Sequence, residues 1–242
     1  MKMYHTILKF LPVTFLAIVC ILFGQRVHGQ TVDSEKCATG IHAVVSRGQG
    51  SGDDLDVMGT LTDLILQQIP GSTVLGLPYD HGAKDKFKAV SQGALMLQKY
   101  VREYADSCPQ SKVAVIGYSL GACLTMEAIC GTSSLGLTNV DALDPSYNKT
   151  IIGTIVYGDE TYSPFQSWNV GNCTVGAGYF PRLNSGSCSP FASSIQSYCD
   201  YGDDQCCAIY PMDNNQAHHT YMAKYNQKVV DFLKRRLDGT NH

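Results

Sequence analysis

The sequence predicts an α/β protein, a three-layer α/β/α sandwich built on a central, mostly parallel sheet. Three observations lead there. Apolar runs of strand length recur at Ile41–Ser46, Ser72–Leu77, Lys112–Ile116 and Ile151–Tyr157. Segments with apolar residues at helical spacing lie between and after them. The strand-length runs are near-continuous rather than alternating, as strands covered on both faces are.

Taken in order, the elements justify themselves locally. Residues 1–29 carry Lys2, Lys9 and Arg26, no acid, and an apolar run of signal-peptide length that is short for a membrane span. Val27 and Gly29 supply small residues ahead of Gln30. Residues 1–29 are therefore read as a removed secretory signal, and residues 30–242 as one domain with a single sizeable core. After the first strand comes the glycine-rich RGQGSGDD. Leu55–Ile69 places apolar residues at 55, 58, 61, 65 and 69, and Pro70-Gly71 ends it. Phe87–Ala105 aligns Val90, Ala94, Leu97, Val101 and Tyr104 on one helical face, stopped by Cys108-Pro109. A helix over Gly121–Ile129 follows the third strand. Tyr162 to Gln216 is rich in Gly, Ser, Asn and Pro and reads as loop. Thr220–Leu237 closes the chain as a helix, with Lys234, Arg235 and Arg236 in the turn where the dipole favours cations.

Charge and cysteines narrow the function classes. Removing the three cations of the signal takes the formal charge from −3 to −6, which offers no electrostatic footprint for nucleic acid. No second long apolar run follows the signal, so the mature chain is expected off the membrane. Ten cysteines less Cys20 leave nine, an odd number, and an oxidising compartment would pair most of them. No CxxC pair has zinc-ligand spacing, so no metal is expected. Asn148 and Asn172 head glycosylation sequons, the second holding Cys173.

The chemistry centres on GYSLG, Gly117 to Gly121, the one G-x-S-x-G in the chain. A serine between a strand and a helix turns sharply, and the two glycines relieve the crowding, leaving Ser119 Oγ exposed at the carboxyl end of the sheet. The helix that follows points its free N–H groups, beginning with Leu120, at that corner. A serine needs a base, and the base needs an orienting acid, in the chain order Ser, Asp/Glu, His for such folds. After Ser119 the histidines are His218, His219 and the terminal His242. The adjacent pair opens the last helix, so the base is one of two. Asp203 and Asp204 lie between Cys199 and Cys206, in a short loop able to hold a carboxylate still, and periodicity does not choose between them.

GYSLG, the Ile129-Cys130 pair, YCDYGDDQCC and HHTY with its closing helix together resemble the cutinase and acetylxylan esterase family of secreted serine esterases. The likeness runs from about Cys37 to Leu237, and Cys108 to Gly121 and Tyr198 to Cys206 carry its most specific motifs. It implies a minimal α/β-hydrolase without a large lid, a triad of Ser119, Asp203 and His218, and no cofactor. It also implies the disulfides Cys37–Cys108, Cys130–Cys188, Cys173–Cys207 and Cys199–Cys206, leaving Cys123 as a small buried residue. Where the family usually places a Ser or Thr oxyanion donor, this chain has Gln49, whose backbone N–H can still donate. Where Gln is common after the nucleophile, it has Leu120.

The resemblance implies an ester substrate, cutin, acetylated xylan or a short-chain ester, hydrolysed by a monomer. The two branches stay open. The segment from Cys173 through Arg182 to Cys188 and the Cys206-Cys207 pair look like the acetylxylan branch. Tyr179, Phe180, Ile209, Tyr210, Pro211 and Met212 offer an apolar lip suited to an acyl chain. A rival reading is a secreted binding or elicitor protein on an inactive esterase scaffold, against which the intact Ser, Asp and His weigh.

Overall fold

The computed structural model describes residues 37–52, 55–132, 136–208 and 215–239. The proposed signal, residues 1–29, lies outside the described residues. A six-stranded sheet forms the centre, in the order β2-β1-β3-β4-β6-β5, with every pair parallel. The strands are β1 (Ile41–Ser46), β2 (Thr73–Gly76), β3 (Lys112–Tyr118), β4 (Ile151–Tyr157), β5 (Asn169–Val170) and β6 (Ile195–Tyr198). The helices are α1 (Gly59–Gln68), α2 (Lys86–Ser107), α3 (Leu120–Cys130) and α4 (Tyr221–Leu237). Among the described residues no helix is long and apolar enough to cross a membrane.

Strand pleating splits β1 between two cores. Val44 packs with Leu97 and Val101 of α2 and Leu124 of α3 on one face. Ile41, Ala43 and Val45 pack with Leu61 and Ile65 of α1 and Val229 and Leu233 of α4 on the other. All eleven residues of α3 are buried, the environment of a helix that is apolar nearly all round. Asp85 caps α2 by accepting the Lys88 N–H at 3.0 Å.

Two expectations change in detail. A 3-10 turn at Asp56–Met58 precedes α1, because Asp56 takes φ 49° and no α-helix runs through a left-handed residue. The stretch read as loop from Tyr162 to Gln216 contains β5 and β6, paired with each other through bonds such as Ser197 N–H to Trp168 O at 3.0 Å and Cys199 N–H to Val170 O at 2.9 Å, while Gly158 N–H to Tyr198 O at 3.0 Å ties β6 to the end of β4. With β2 and β3 flanking β1 on opposite sides, the strand order reverses beside β1, and ligands of such sheets gather at carboxyl ends near the reversal.

Candidate active site

Ser119 is the hinge between β3 and α3. Its backbone stands at φ 55° and ψ −122°, a left-handed conformation that costs free energy for a residue with a Cβ. Its N–H donates to Tyr157 O of β4 at 2.9 Å, and its carbonyl accepts from the N–H groups of Ala122 and Cys123. The strain is held by packing. A Cβ at Gly117 would run into the Gly121 carbonyl, and one at Gly121 into the carbonyls of Ser46 and Arg47. That close approach draws the exit of β1 against the corner, so that a Cβ on Gly48 would lie 3.5 Å from that of Ser119. Gln49 follows Gly48 on this turn with an exposed side chain. Leu120, first in α3, has an N–H with no place in the intrahelical ladder, and its side chain is buried.

Past the carboxyl ends of β4 and β6, Asp203 and His218 meet. His218 Nδ1 donates to Asp203 Oδ2 at 2.9 Å. Asp203 is fully buried and His218 nearly so. The carboxylate is fixed from three sides, since Tyr221 OH donates to the same Oδ2 at 2.6 Å and Gln205 N–H to Oδ1 at 2.9 Å. Burial, with the adjacent carboxylate, pushes the Tyr221 hydroxyl pKa far up and keeps it a donor. With Nδ1 committed to Asp203, Nε2 carries the free lone pair a general base needs. The neighbours of Ser119 touch this dyad. The ring of Tyr118 lies 4.9 Å from that of His218, and its hydroxyl donates to the His218 carbonyl at 2.9 Å. Gly158, just past Tyr157, is so close that an added Cβ would sit 2.7 Å from two ring atoms of His218 and 2.8 Å from Asp203 Oδ2.

The alternatives left open by spacing part company here. Asp204 is half-buried, receives no hydrogen bond from His218, and uses its own N–H to bond Asn215 Oδ1. His219 is exposed, with Nδ1 3.4 Å from Tyr118 OH. Tyr221 and Gly158 escaped the sequence reading as partners of the dyad. The signals were present: a Tyr three residues after His218, and a glycine at the carboxyl end of β4.

Beside Leu120 opens a cavity of about 500 Å3. Phe87, Val90, Leu120, Leu137 and Phe180 give it apolar walls, with Tyr179 and Glu160 adding polar groups and Lys84 and Lys86 at its lining. Phe180 meets Phe87 edge-on at 5.2 Å. The Tyr179–Arg182 segment that forms one wall is bolted to α3, because the buried Arg182 pairs with the buried Glu127 at 2.5 Å and also bonds the Gly131 carbonyl. Ile209, Tyr210, Pro211 and Met212, the rest of the proposed lip, lie outside the described residues. Four disulfides join Cys37 to Cys108, Cys130 to Cys188, Cys173 to Cys207 and Cys199 to Cys206. Cys123 remains a buried thiol in the cavity wall, its pKa pushed up by burial. Asn148 and Asn172 are exposed, the latter accepting the Tyr201 N–H on its side-chain oxygen.

A family profile described as Cutinase matches residues 37–237. Cutinase 11 of Verticillium dahliae is 30% identical over 86% of this chain and 72% of its own length. Acetylxylan esterase 2 of Talaromyces purpureogenus is 27% identical over 92% of this chain and 97% of its own. The solved catalytic core domain of acetyl xylan esterase from Trichoderma reesei superposes with a TM-score of 0.75 at 26% identity, covering 83% of this chain and 100% of that one.

Proposed function

This chain belongs to the cutinase family of ester hydrolases, and we propose that it is a secreted serine esterase that cleaves esters of plant cell-wall or cuticle polymers through Ser119, His218 and Asp203. Ser119 Oγ attacks the ester carbonyl carbon while His218 Nε2 takes its proton. The oxyanion that forms is met by the backbone N–H groups of Leu120 and Gln49. Collapse breaks the bond to the alcohol oxygen, which leaves with the proton from His218. Water then attacks the acyl-serine with His218 again as base, releasing the carboxylic acid and restoring the serine. Asp203 holds the imidazole in the tautomer this sequence of transfers requires.

One observation carries the reading: a strained serine corner directly follows Tyr118, whose ring lies 4.9 Å from a buried imidazole, and the Nδ1 of that imidazole is 2.9 Å from an immobilised carboxylate. Four disulfides support an oxidising, extracellular setting. Two acetylxylan esterases stand among the relatives described above and one cutinase, so both polymer classes belong in the assay.

Hydrolysis of p-nitrophenyl butyrate tests the mechanism. Ser119→Ala is expected to lower kcat by ~10³-fold or more, and Asp203→Asn by ~10²- to 10⁴-fold. Asp204→Asn is expected to stay within ~2-fold, since its carboxylate does not touch the imidazole. Full activity in Ser119→Ala overturns the mechanism, and the reverse order of the two Asn variants overturns the choice of acid. A series of acyl lengths beside acetylated xylan and cutin identifies the branch. Sequencing the mature N-terminus, expected at Gln30, tests secretion.

A further inference from the structure

Each of the acids buried around the ends of β4 and β6 has a donor on at least one carboxylate oxygen, with one exception. Asp203 accepts from His218, Tyr221 and the Gln205 N–H. Asp159 accepts from the N–H and hydroxyl of Thr161, and Glu127 pairs with Arg182. Asp200 accepts from Tyr225 and Lys224. Glu160, two residues beyond Gly158, is only 7% exposed and lines the cavity beside Leu120. Its carbonyl accepts the Phe180 N–H, which fixes its backbone. Among the described residues its carboxyl group has no hydrogen-bond donor and no paired cation.

Glu160 is nearly buried but its carboxyl oxygens are not sealed off from the cavity it lines, so a ligand group there can take up their hydrogen bonds in place of water. The surroundings say which ligand group fits. A second carboxylate would meet Glu160 itself and the nearby Asp159. A ligand cation would meet Lys84 and Lys86, which share the lining. Burial first, and Asp159 and Asp203 after it, push the Glu160 pKa up against the opposing pull of Lys86 and His218, toward a form that both donates and accepts. A neutral hydroxyl, donor and acceptor in one group, can pair with either protonation state. The volume agrees. Three heavy atoms of an acetyl group at ~30 Å3 each fill less than a fifth of the cavity, leaving room for a longer chain or a sugar ring.

We propose that Glu160 sets the specificity of this cavity by hydrogen-bonding a hydroxyl on the part of the ester that occupies it, so that hydroxylated esters are cleaved in preference to alkyl esters of the same size. The inference rests on Ser119 being the nucleophile beside that cavity. The hydroxyl can come from either side of the ester, from a hydroxylated acyl chain or from the sugar of the alcohol.

Two matched pairs separate those sources in the full chain. The first is p-nitrophenyl 8-hydroxyoctanoate against p-nitrophenyl octanoate. The second is methyl 2-O-acetyl-β-xylopyranoside against cyclohexyl acetate. The unmodified protein is expected to favour the hydroxylated member of one pair by about tenfold or more in kcat/KM, and the pair that responds identifies the source. Glu160→Met, of matched length, is expected to erase the preference, the kcat/KM ratio of the hydroxylated to the alkyl ester falling to about one. Glu160→Gln, which keeps a donor and an acceptor, retains part of it. A protein that hydrolyses the alkyl esters with no preference in either pair refutes the role of Glu160 and leaves the hydrolase reading standing. So does a preference that survives Glu160→Met, or equal losses on both members. A Ser119→Ala variant as fast as the unmodified protein removes both.

Discussion

The corner at Ser119 and the Asp203–His218 pair belong to regions built differently. Ser119 stands between β3, six of whose seven residues are buried, and α3, all of whose residues are. Apolar packing and the close approach of α3 to the end of β1 hold it. Asp203 and His218 stand on a stretch whose strands, β5 and β6, amount to two and four residues. There the order comes from covalent and polar ties. Cys199–Cys206 and Cys173–Cys207 bracket Asp203. Asp200 collects bonds from Asn172 N–H, Tyr225 and Lys224, and its own N–H reaches Tyr221 OH, which in turn holds Asp203. The proposed nucleophile is thus held by burial, and the proposed acid and base by cross-links and hydrogen bonds. A water-exposed rim near a substrate has little apolar area to bury, and ties of this second kind supply its rigidity.

Removing one disulfide from each region breaks the comparison most sharply. Cys37–Cys108 closes a separation of 71 residues and anchors the packed half, while Cys199–Cys206 closes 7 and holds the acid. By loop-closure entropy the long loop is worth about 4.4 kcal/mol and the short one about 2.5 kcal/mol. The double variant Cys37→Ala/Cys108→Ala is expected to lose more stability in urea unfolding and to keep its kcat/KM wherever it is folded. Cys199→Ala/Cys206→Ala is expected to lose less stability and most of its activity. Equal activity losses at full folding would show that both regions depend on cross-links alike.

The same division explains what could be read in advance. β1 and β4 were legible to the residue, because mostly apolar runs of six and seven residues between turn signals leave few alternatives. The corner at Ser119 was legible from its glycines. Asn169–Val170 is too short for any period, and Ile195–Tyr198 mixes Gln and Ser with its apolar residues; both become strands only because the edge of β4 is there to pair with. Asp203 and Asp204 share a turn, and the choice between them rests on which carboxyl lies under Tyr221. Glu160 in a sequence reads as an ordinary solvated acid. Its burial is a property of the cavity wall, assembled from α2, α3 and the Tyr179–Phe180 segment.

Gly158 joins the two regions and sharpens the contrast. It lies at the end of a packed strand, yet its missing side chain is the space His218 and Asp203 occupy. Gly158→Ala is expected to lower kcat/KM on p-nitrophenyl butyrate by ~100-fold, about 2.7 kcal/mol, by displacing the imidazole. The glycine also has φ 61°, which an alanine resists on its own account. Gly239→Ala separates the two effects, since Gly239 has φ 71° with nothing within 4 Å of an added Cβ. It is expected to cost about 1 kcal/mol of stability with activity unchanged. If both variants keep full activity, the tight fit at Gly158 has no part in placing the dyad.

The packed half carries a titrating weakness of its own. His42 on β1 stacks on Tyr104 with ring centroids 3.9 Å apart, and its Nδ1 lies 2.7 Å from Thr73 Oγ1. Burial lowers its pKa from 6.5 to about 4. The unfolded chain therefore takes up a proton near pH 6.5 that the native state refuses until about pH 4. The stabilisation is complete above the unfolded value, drains away as pH falls between the two, and is flat below. At 1.36 kcal/mol per pKa unit the window is worth at most about 3.4 kcal/mol, and solvent reaching the ring brings it to about 2 kcal/mol. His42→Phe keeps the stack and removes the proton, so its unfolding free energy is expected to fall about 2 kcal/mol less than that of the unmodified protein between pH 7 and pH 4. Parallel pH profiles for the two proteins would mean that His42 is hydrated enough to titrate normally, and that burial grips this end of β1 less firmly than it grips the corner at Ser119.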